Sequence, residues 1–241
     1  MKHLIIMALL SVMTLNAQKQ VEIKAPISKG QEVFVNFKFA QDIKIQHGNT
    51  NEIIVRATVN IDDGEGNDKY SIKTEKSSSQ LKLYSDFGDY FKNRSRNVYY
   101  SNKDGKKENC NCCHNTDINY IVIVPRNIKL KIKSISGSVF TNVYDGDLVT
   151  DLISGDVTIK KYNGELRLKT ISGVLDIVVN KAKLNAKSVT GTIYSDMDFD
   201  KSDFSKYNNK KIHNHISKQV NGGTLLLTME TVSGNIYIRK G

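Results

Sequence analysis

Five phrases decide the fold: Ile135-Ser136-Gly137-Ser138-Val139, Ile153-Ser154-Gly155-Asp156-Val157, Ile171-Ser172-Gly173-Val174-Leu175, Val189-Thr190-Gly191-Thr192-Ile193 and Val232-Ser233-Gly234-Asn235-Ile236. The first four stand 18 residues apart; the fifth follows after 43, one period plus an insertion of 25. A fixed short period marks a repeat architecture. Written in register, every unit opens on Leu, at 130, 148, 166, 184 and 227. Position 6 is Ile or Val, position 8 is always Gly, position 10 is aliphatic and position 12 mostly Ile. Positions 2 and 4 are mostly polar.

Positions 1, 3, 6, 10 and 12 thus read as inward-facing. The parity flips between 3 and 6, which a straight strand cannot do without a bend. Each unit is therefore two short strands joined at a corner, built from Ser136-Gly137, Ser154-Gly155, Ser172-Gly173, Thr190-Gly191 and Ser233-Gly234. A second corner falls at Asp145-Gly146 and Asn163-Gly164. One unit buries nothing alone; stacked units line up their Leu and Ile columns into one core. The expectation is an all-β chain whose C-terminal half is a parallel β-solenoid of 18-residue coils, stacked in sequence order. The hydroxyls at position 7 are expected to bond corner backbone, as short polar side chains do.

Outward from the repeats, residues 18–128 read as a β-rich N-terminal part. Val33 to Phe39 alternates strictly, and Glu52 to Ile61 is a long β-branched run. Residues 129–241 hold the coils. Two stretches interrupt the strand pattern, 85–117 and 196–223. Residues 1–17 read as a signal peptide: a basic start, the apolar run Leu4 to Leu15, and a small residue at Ala17 where cleavage is expected. That places the protein outside the cytoplasm, in a periplasm, at a cell surface or in the medium. No later run is long and apolar enough for a transmembrane segment.

Formal charge is +10, and +9 without residues 1–17, which carry Lys2 and no acid. Such a surface favours an anionic polysaccharide or another envelope component. Nucleic acid is not expected as the ligand of an exported protein.

The run Tyr120-Ile121-Val122-Ile123-Val124-Pro125-Arg126-Asn127, leading into Leu130-Lys131-Ile132-Lys133-Ser134-Ile135-Ser136-Gly137-Ser138-Val139, resembles the bacterial adhesin families of β-strand repeat proteins, the DUF4097-like group. The resemblance covers 118–241, and 33–61 loosely. It implies an exported, β-helical, non-enzymatic protein with a surface or adhesive role. The two insertions depart from the plain pattern.

The candidate chemistry lies mostly in those insertions. Tyr90, Phe91, Tyr99 and Tyr100 mix with Arg94 and Arg96, so this loop is the expected ligand contact; the competing reading is an aromatic cap on the coils. Cys110, Cys112, Cys113 and His114 could form a disulfide with one thiol left over, or hold a soft metal, or serve redox chemistry. His213 and His215 sit among lysines that repel cations. Asp147 and Glu165 share position 18 of adjacent coils, near the spacing of a retaining glycosidase pair; a solvated turn is the simpler reading. No phosphate loop, dinucleotide motif or nucleophile–base constellation is present, so no cofactor and no enzyme activity are expected. The solenoid end is expected to need a cap, from 196–223 or from a second copy stacking end to end.

Overall fold

Strict alternation produces strands from the N-terminus onward. The structure is a computed structural model that describes residues 18–93, 98–101, 107–110, 115–200, 204–207 and 210–241. The expected signal segment lies outside these. The first half contains β1 (Lys19–Pro26), β2 (Glu32–Asn36), β3 (Phe39–His47), β4 (Glu52–Ile61), β5 (Ser71–Lys76) and β6 (Gln80–Asp86). A one-turn helix, α1 (Tyr90–Asn93), and a hairpin of β7 (Val98–Ser101) and β8 (Lys107–Cys110) precede β9 (Thr116–Val124). In β2, Val33 and Val35 are buried while Glu32, Phe34 and Asn36 face outward. Among the described residues no helix is long and apolar enough to cross a membrane.

The repeats supply β10 (Leu130–Ser134), β11 (Ser136–Thr141) and β12 (Tyr144–Asp145), then β13 (Leu148–Ser154), β14 (Val157–Ile159) and β15 (Tyr162–Asn163). They continue with β16 (Leu166–Ser172), β17 (Leu175–Val179), β18 (Ala182–Ser188) and β19 (Ile193–Ser195). After the second insertion, which folds into β20 (Phe204–Tyr207) and β21 (Lys210–Val220), come β22 (Leu226–Ser233) and β23 (Ile236–Lys240).

The described strands fall mainly into two sheets. A nine-stranded sheet runs β1-β4-β9-β3-β11-β14-β17-β23-β19, and a ten-stranded sheet runs β20-β21-β18-β22-β16-β13-β10-β2-β6-β5. Every repeat puts its first strand in the larger sheet and its second in the smaller. The 18-residue period becomes parallel register: Leu130, Leu148, Leu166, Leu227 and Leu184 are successive partners, as are Val139, Val157, Leu175, Ile236 and Ile193. Their side chains fill the space between the sheets, and the same core takes in Val33, Val35, Leu81 and Leu83 from the N-terminal half. Both sheets thus run without a break across residues 128 and 129.

The order of stacking differs from the expected one. Number the rungs from the N-terminal side, each rung being one strand of each sheet. They are then β6/β9, β2/β3, β10/β11, β13/β14, β16/β17, β22/β23 and β18/β19. The chain visits them as second, first, third, fourth, fifth, seventh, sixth. The coil at 227–241 is therefore not at the end; it fills a slot between the third and fourth repeats. Beyond it, β21 pairs antiparallel with β18, so the insertion caps the larger sheet. At the other end, β5 caps β6, and β4 with β1 caps β9, all antiparallel.

The facing of position 6 also needs correction. Ile135, Ile153, Ile171, Val232 and Val189 are 41%, 47%, 44%, 41% and 54% exposed. Position 5 is the one turned inward: Ser134, Leu152, Thr170, Thr231 and Ser188 are buried. The alternation of positions 1 and 3 simply continues to 5 before the corner. Buried hydroxyls are affordable there because the corner's carbonyls accept from them. Thr170 Oγ1 donates to Gly155 O at 3.0 Å and Ser188 Oγ to Gly234 O at 2.9 Å, and Ser134 Oγ reaches the Ser136 and Phe37 carbonyls. At position 7, Ser136 and Thr190 bond backbone of the neighbouring rung as expected.

Candidate binding surface

The first-insertion residues divide sharply. Phe91 lies half-buried against Phe39 (5.2 Å between ring centres) and Phe87 (5.1 Å), and Phe87 meets Tyr70 at 5.3 Å. Tyr90 donates its hydroxyl to Asp62 Oδ2 at 2.7 Å. These two rings pack on the core as a cap rather than standing free for a ligand. Arg94, Arg96, Cys112, Cys113 and His114 lie outside the described residues, and Tyr99, Tyr100 and Cys110 are described only as backbone of β7 and β8. His213 is likewise described only as backbone of β21; His215 Nε2 lies 3.0 Å from Asn185 Oδ1. Among the described residues no group of three His, Cys, Asp or Glu is placed to hold a metal.

Asp147 and Glu165 meet, but as a link between coils. The Glu165 N–H donates to Asp147 Oδ1 at 2.9 Å. The same device recurs where Val174 N–H donates to Asp156 Oδ1 (2.7 Å) and Thr192 N–H to Asn235 Oδ1 (3.0 Å). Around the pair, Glu32, Lys129, Lys131 and Arg167 line a groove of about 350 Å³. Lys129 pairs with Glu32 at 2.8 Å and holds that carboxyl below its ordinary range.

The richer surface is the outer face of the nine-stranded sheet. Position 11 points outward there, because its neighbours at 10 and 12 turn inward, buried in every coil but the fourth, where Ile193 and Ser195 are half-buried. Register aligns Lys44, Phe140, Thr158, Asp176, Tyr237 and Tyr194 in one row across the strands. At one end Tyr194 and Tyr237 stack at 5.0 Å, nearly parallel at 12°. Arg239 grips Asp176 with two bonds, Nε to Oδ1 at 2.6 Å and Nη2 to Oδ2 at 2.7 Å, and lies 5.5 Å from the Tyr237 ring centre. At the other end Lys160 Nζ lies 5.7 Å from the Phe140 ring centre. Beside it is a groove of about 260 Å³ whose walls include Lys44, Arg126 and Val143.

That groove has a rigid back wall. His47 Nε2 accepts from the Asp145 N–H at 2.8 Å, which leaves the ring proton on Nδ1, facing Val124 O at 3.3 Å. Its ring stacks on Tyr144 at 5.3 Å, and Arg126 pairs with Asp145. Here the chain crosses from the first rung to the third, through Pro125 and Asn127, the latter in the left-handed region at φ 59°. The row is faint in the sequence because only three of five coils carry an aromatic at position 11, and Asp176 and Arg239, which flank Tyr237, become neighbours only through the out-of-order stacking.

No family model matches the chain, and no curated protein matches it. Solved structures do. A "putative cell adhesion protein" from Clostridium sporogenes ATCC 15579 is 15% identical, aligned over 92% of this chain and 100% of its own, with a TM-score of 0.49. A "putative adhesin" from Bacteroides fragilis NCTC 9343 is 12% identical over 92% and 97%, with a TM-score of 0.30. A "putative lipid binding protein" from Parabacteroides distasonis ATCC 8503 is 11% identical over 93% and 96%, with a TM-score of 0.26.

Proposed function

We propose that the protein is an exported, non-catalytic binding module of the adhesin kind. Its scaffold is a flattened β-solenoid with one pair of coils exchanged at each end, and its ligand is an anionic envelope or surface polysaccharide. The observation that carries this reading is the row Lys44, Phe140, Asp176, Tyr237 and Tyr194 on one sheet face. Aromatic rings cover the apolar faces of sugars, and fixed cations pair with acidic substituents. Phe140 and Tyr237 stand three strand spacings apart, about 14 Å, so an extended chain laid across the strands reaches both ends. A net charge of +10 draws such a chain in. The engagement of Asp147 by the Glu165 backbone supports a structural role for that pair over glycoside cleavage.

End-to-end stacking through the last coil loses its basis. Ile236 and Ile238 are buried on β23, which has partners on both edges. A charge placed there would disrupt the core.

The test is a glycan and envelope-component binding screen on the purified protein, followed by titration of the best ligand. Tyr194→Ala combined with Tyr237→Ala is expected to weaken binding at least about tenfold with the circular dichroism unchanged. Phe140→Ala should weaken it less, and rising salt should weaken it further. Full binding by the double variant would sink the reading.

A further inference from the structure

We propose that the outer face of the ten-stranded sheet is a self-association interface that pairs two copies of this chain about a two-fold axis. Eight large hydrophobic residues among those described are exposed, and five of them form one column: Ile135, Ile153, Ile171, Val232 and Val189. Isolated exposed aliphatics need no explanation, but a continuous apolar patch marks a contact surface. Here every coil contributes one rung, at about 4.8 Å spacing, so the ridge runs the length of the repeats.

The occupant follows from the charges beside the ridge. Position 4 of each coil faces the same way as position 6. In stacking order it reads Lys133, Asp151, Lys169, Glu230, Lys187, with the sign alternating at every step. None of these five makes an ion pair of its own. A surface that alternates at fixed spacing is complementary to itself when reversed and offset. Let two copies meet face to face with their stacks antiparallel and the axis along the strands, between β13 and β16. Ile153 then faces Ile171 of the second copy, and Ile135 faces Val232. Asp151 faces Lys169 of the second copy, and Lys133 faces Glu230. Across these four rungs every facing pair at positions 4 and 6 is apolar with apolar or opposite in charge. Beyond them β18 falls opposite β2 of the second copy, where Lys187 meets Asn36 and Val189 meets Lys38, again without like charges. At position 2, Val149 faces Arg167 and Lys131 faces Thr228, so no like charges meet there either. An axis running through a rung would instead oppose like charges.

The face is small. Four facing rungs by six residues give about 19 by 20 Å, below the roughly 800 Å² per partner of a standard interface. The dimer is therefore weak, with a dissociation constant above about 1 µM.

Sedimentation of the purified protein from about 1 µM to about 1 mM tests this. A reversible monomer–dimer equilibrium is expected, and a monomer throughout would overturn the proposal. Ile153→Lys with Ile171→Lys, both at exposed positions, should raise the dissociation constant at least about tenfold; an unchanged constant would place the contact elsewhere. Asp151→Lys and Lys169→Glu should each weaken self-association, while an equimolar mixture of the two variants should recover it, because each supplies the charge the other needs. Failure of the mixture to associate better than either variant alone would also overturn the proposal. That arm depends only on mixing, so it stands even where one substitution lowers stability.

Discussion

A side chain on Gly155 would run into the carbonyl oxygen of Gly137, and its φ of 141° lies in the left-handed region. The same collision repeats up the column, Gly173 against Gly155, Gly234 against Gly173 and Gly191 against Gly234, with no positive φ at those three. Close approach of backbones, more than backbone freedom, keeps position 8 as glycine. Gly155→Ala should therefore cost about 3 kcal/mol in urea unfolding. Gly30→Ala, at φ 81° with open space around it, should cost only about 1 kcal/mol. Equal costs would refute the steric explanation. Tyr162 offers the opposite sign. Its hydroxyl is buried without a partner, and burial pushes the phenol up to about 12. Tyr162→Phe should leave thermal stability unchanged or raise it by up to about 1 kcal/mol. Tyr144→Phe, which loses the bond to Ile128 O at 2.8 Å, should lower it by about 1 kcal/mol. The position-6 column shows where residue-level reading fails. Ile in a strand repeat suggests burial, yet Ser134, Thr170 and Ser188 take the inward place because corner carbonyls are there to receive their hydroxyls.

At the scale of elements, the pair β22 and β23 is the informative one. It sits between β16 and β18 in one sheet and between β17 and β19 in the other. The connection that carries it there crosses the start of β18, where Gly223 packs against the Lys181–Ala182 backbone. Deleting 226–241 would thus remove an inner wall rather than an end. Coil four and its cap would lose their parallel partner, and Leu184, Ala186 and Ile216 would lose their cover. The expected result is rapid proteolysis across 182–220, with 18–172 still protected; a truncated protein equally protected throughout would contradict the assigned order. The charges agree with that order. Stacking by sequence would set Lys169 beside Lys187, whereas the actual stack interposes Glu230. Likewise Arg239 comes to lie beside Asp176. Facing like charges are unfavourable and opposite ones favourable, each by a few tenths of a kcal/mol or more.

For the molecule as a whole, the all-β class, the unit length, the corners and the two-strand division of each repeat were legible, because a strict period survives in any reading frame. The order of the coils was not, since Leu166, Leu184 and Leu227 are interchangeable as inward rungs and only outward charges separate the alternatives. The N-terminal rungs were also hidden. Val33 and Val35 match Leu130 and Ile132 in register, and Leu81 and Leu83 match Val33 and Val35, but unequal connections between them erase the period. The aromatic row was faint because only Phe140, Tyr194 and Tyr237 among the five coils supply a ring at position 11. If the larger sheet holds two copies together, their two smaller sheets face away from each other, each with its own aromatic row. The gain would be avidity: a weak dimer in solution becomes a firm one on a polymeric ligand that occupies both rows at once.

The exchanged final coil has one more implication, for the way this chain is made. Synthesis proceeds from the N-terminus, so residues 226–240 emerge after every other described strand. Until they arrive, the inner edges of β18 and β19 have nothing to pair with, and β16 and β17 lie open. The C-terminal third must wait as an unfinished strand array while the rest can already have closed. The fifteen residues that complete the interior are delivered after every other described strand, so the stack cannot close between β16/β17 and β18/β19 until they arrive.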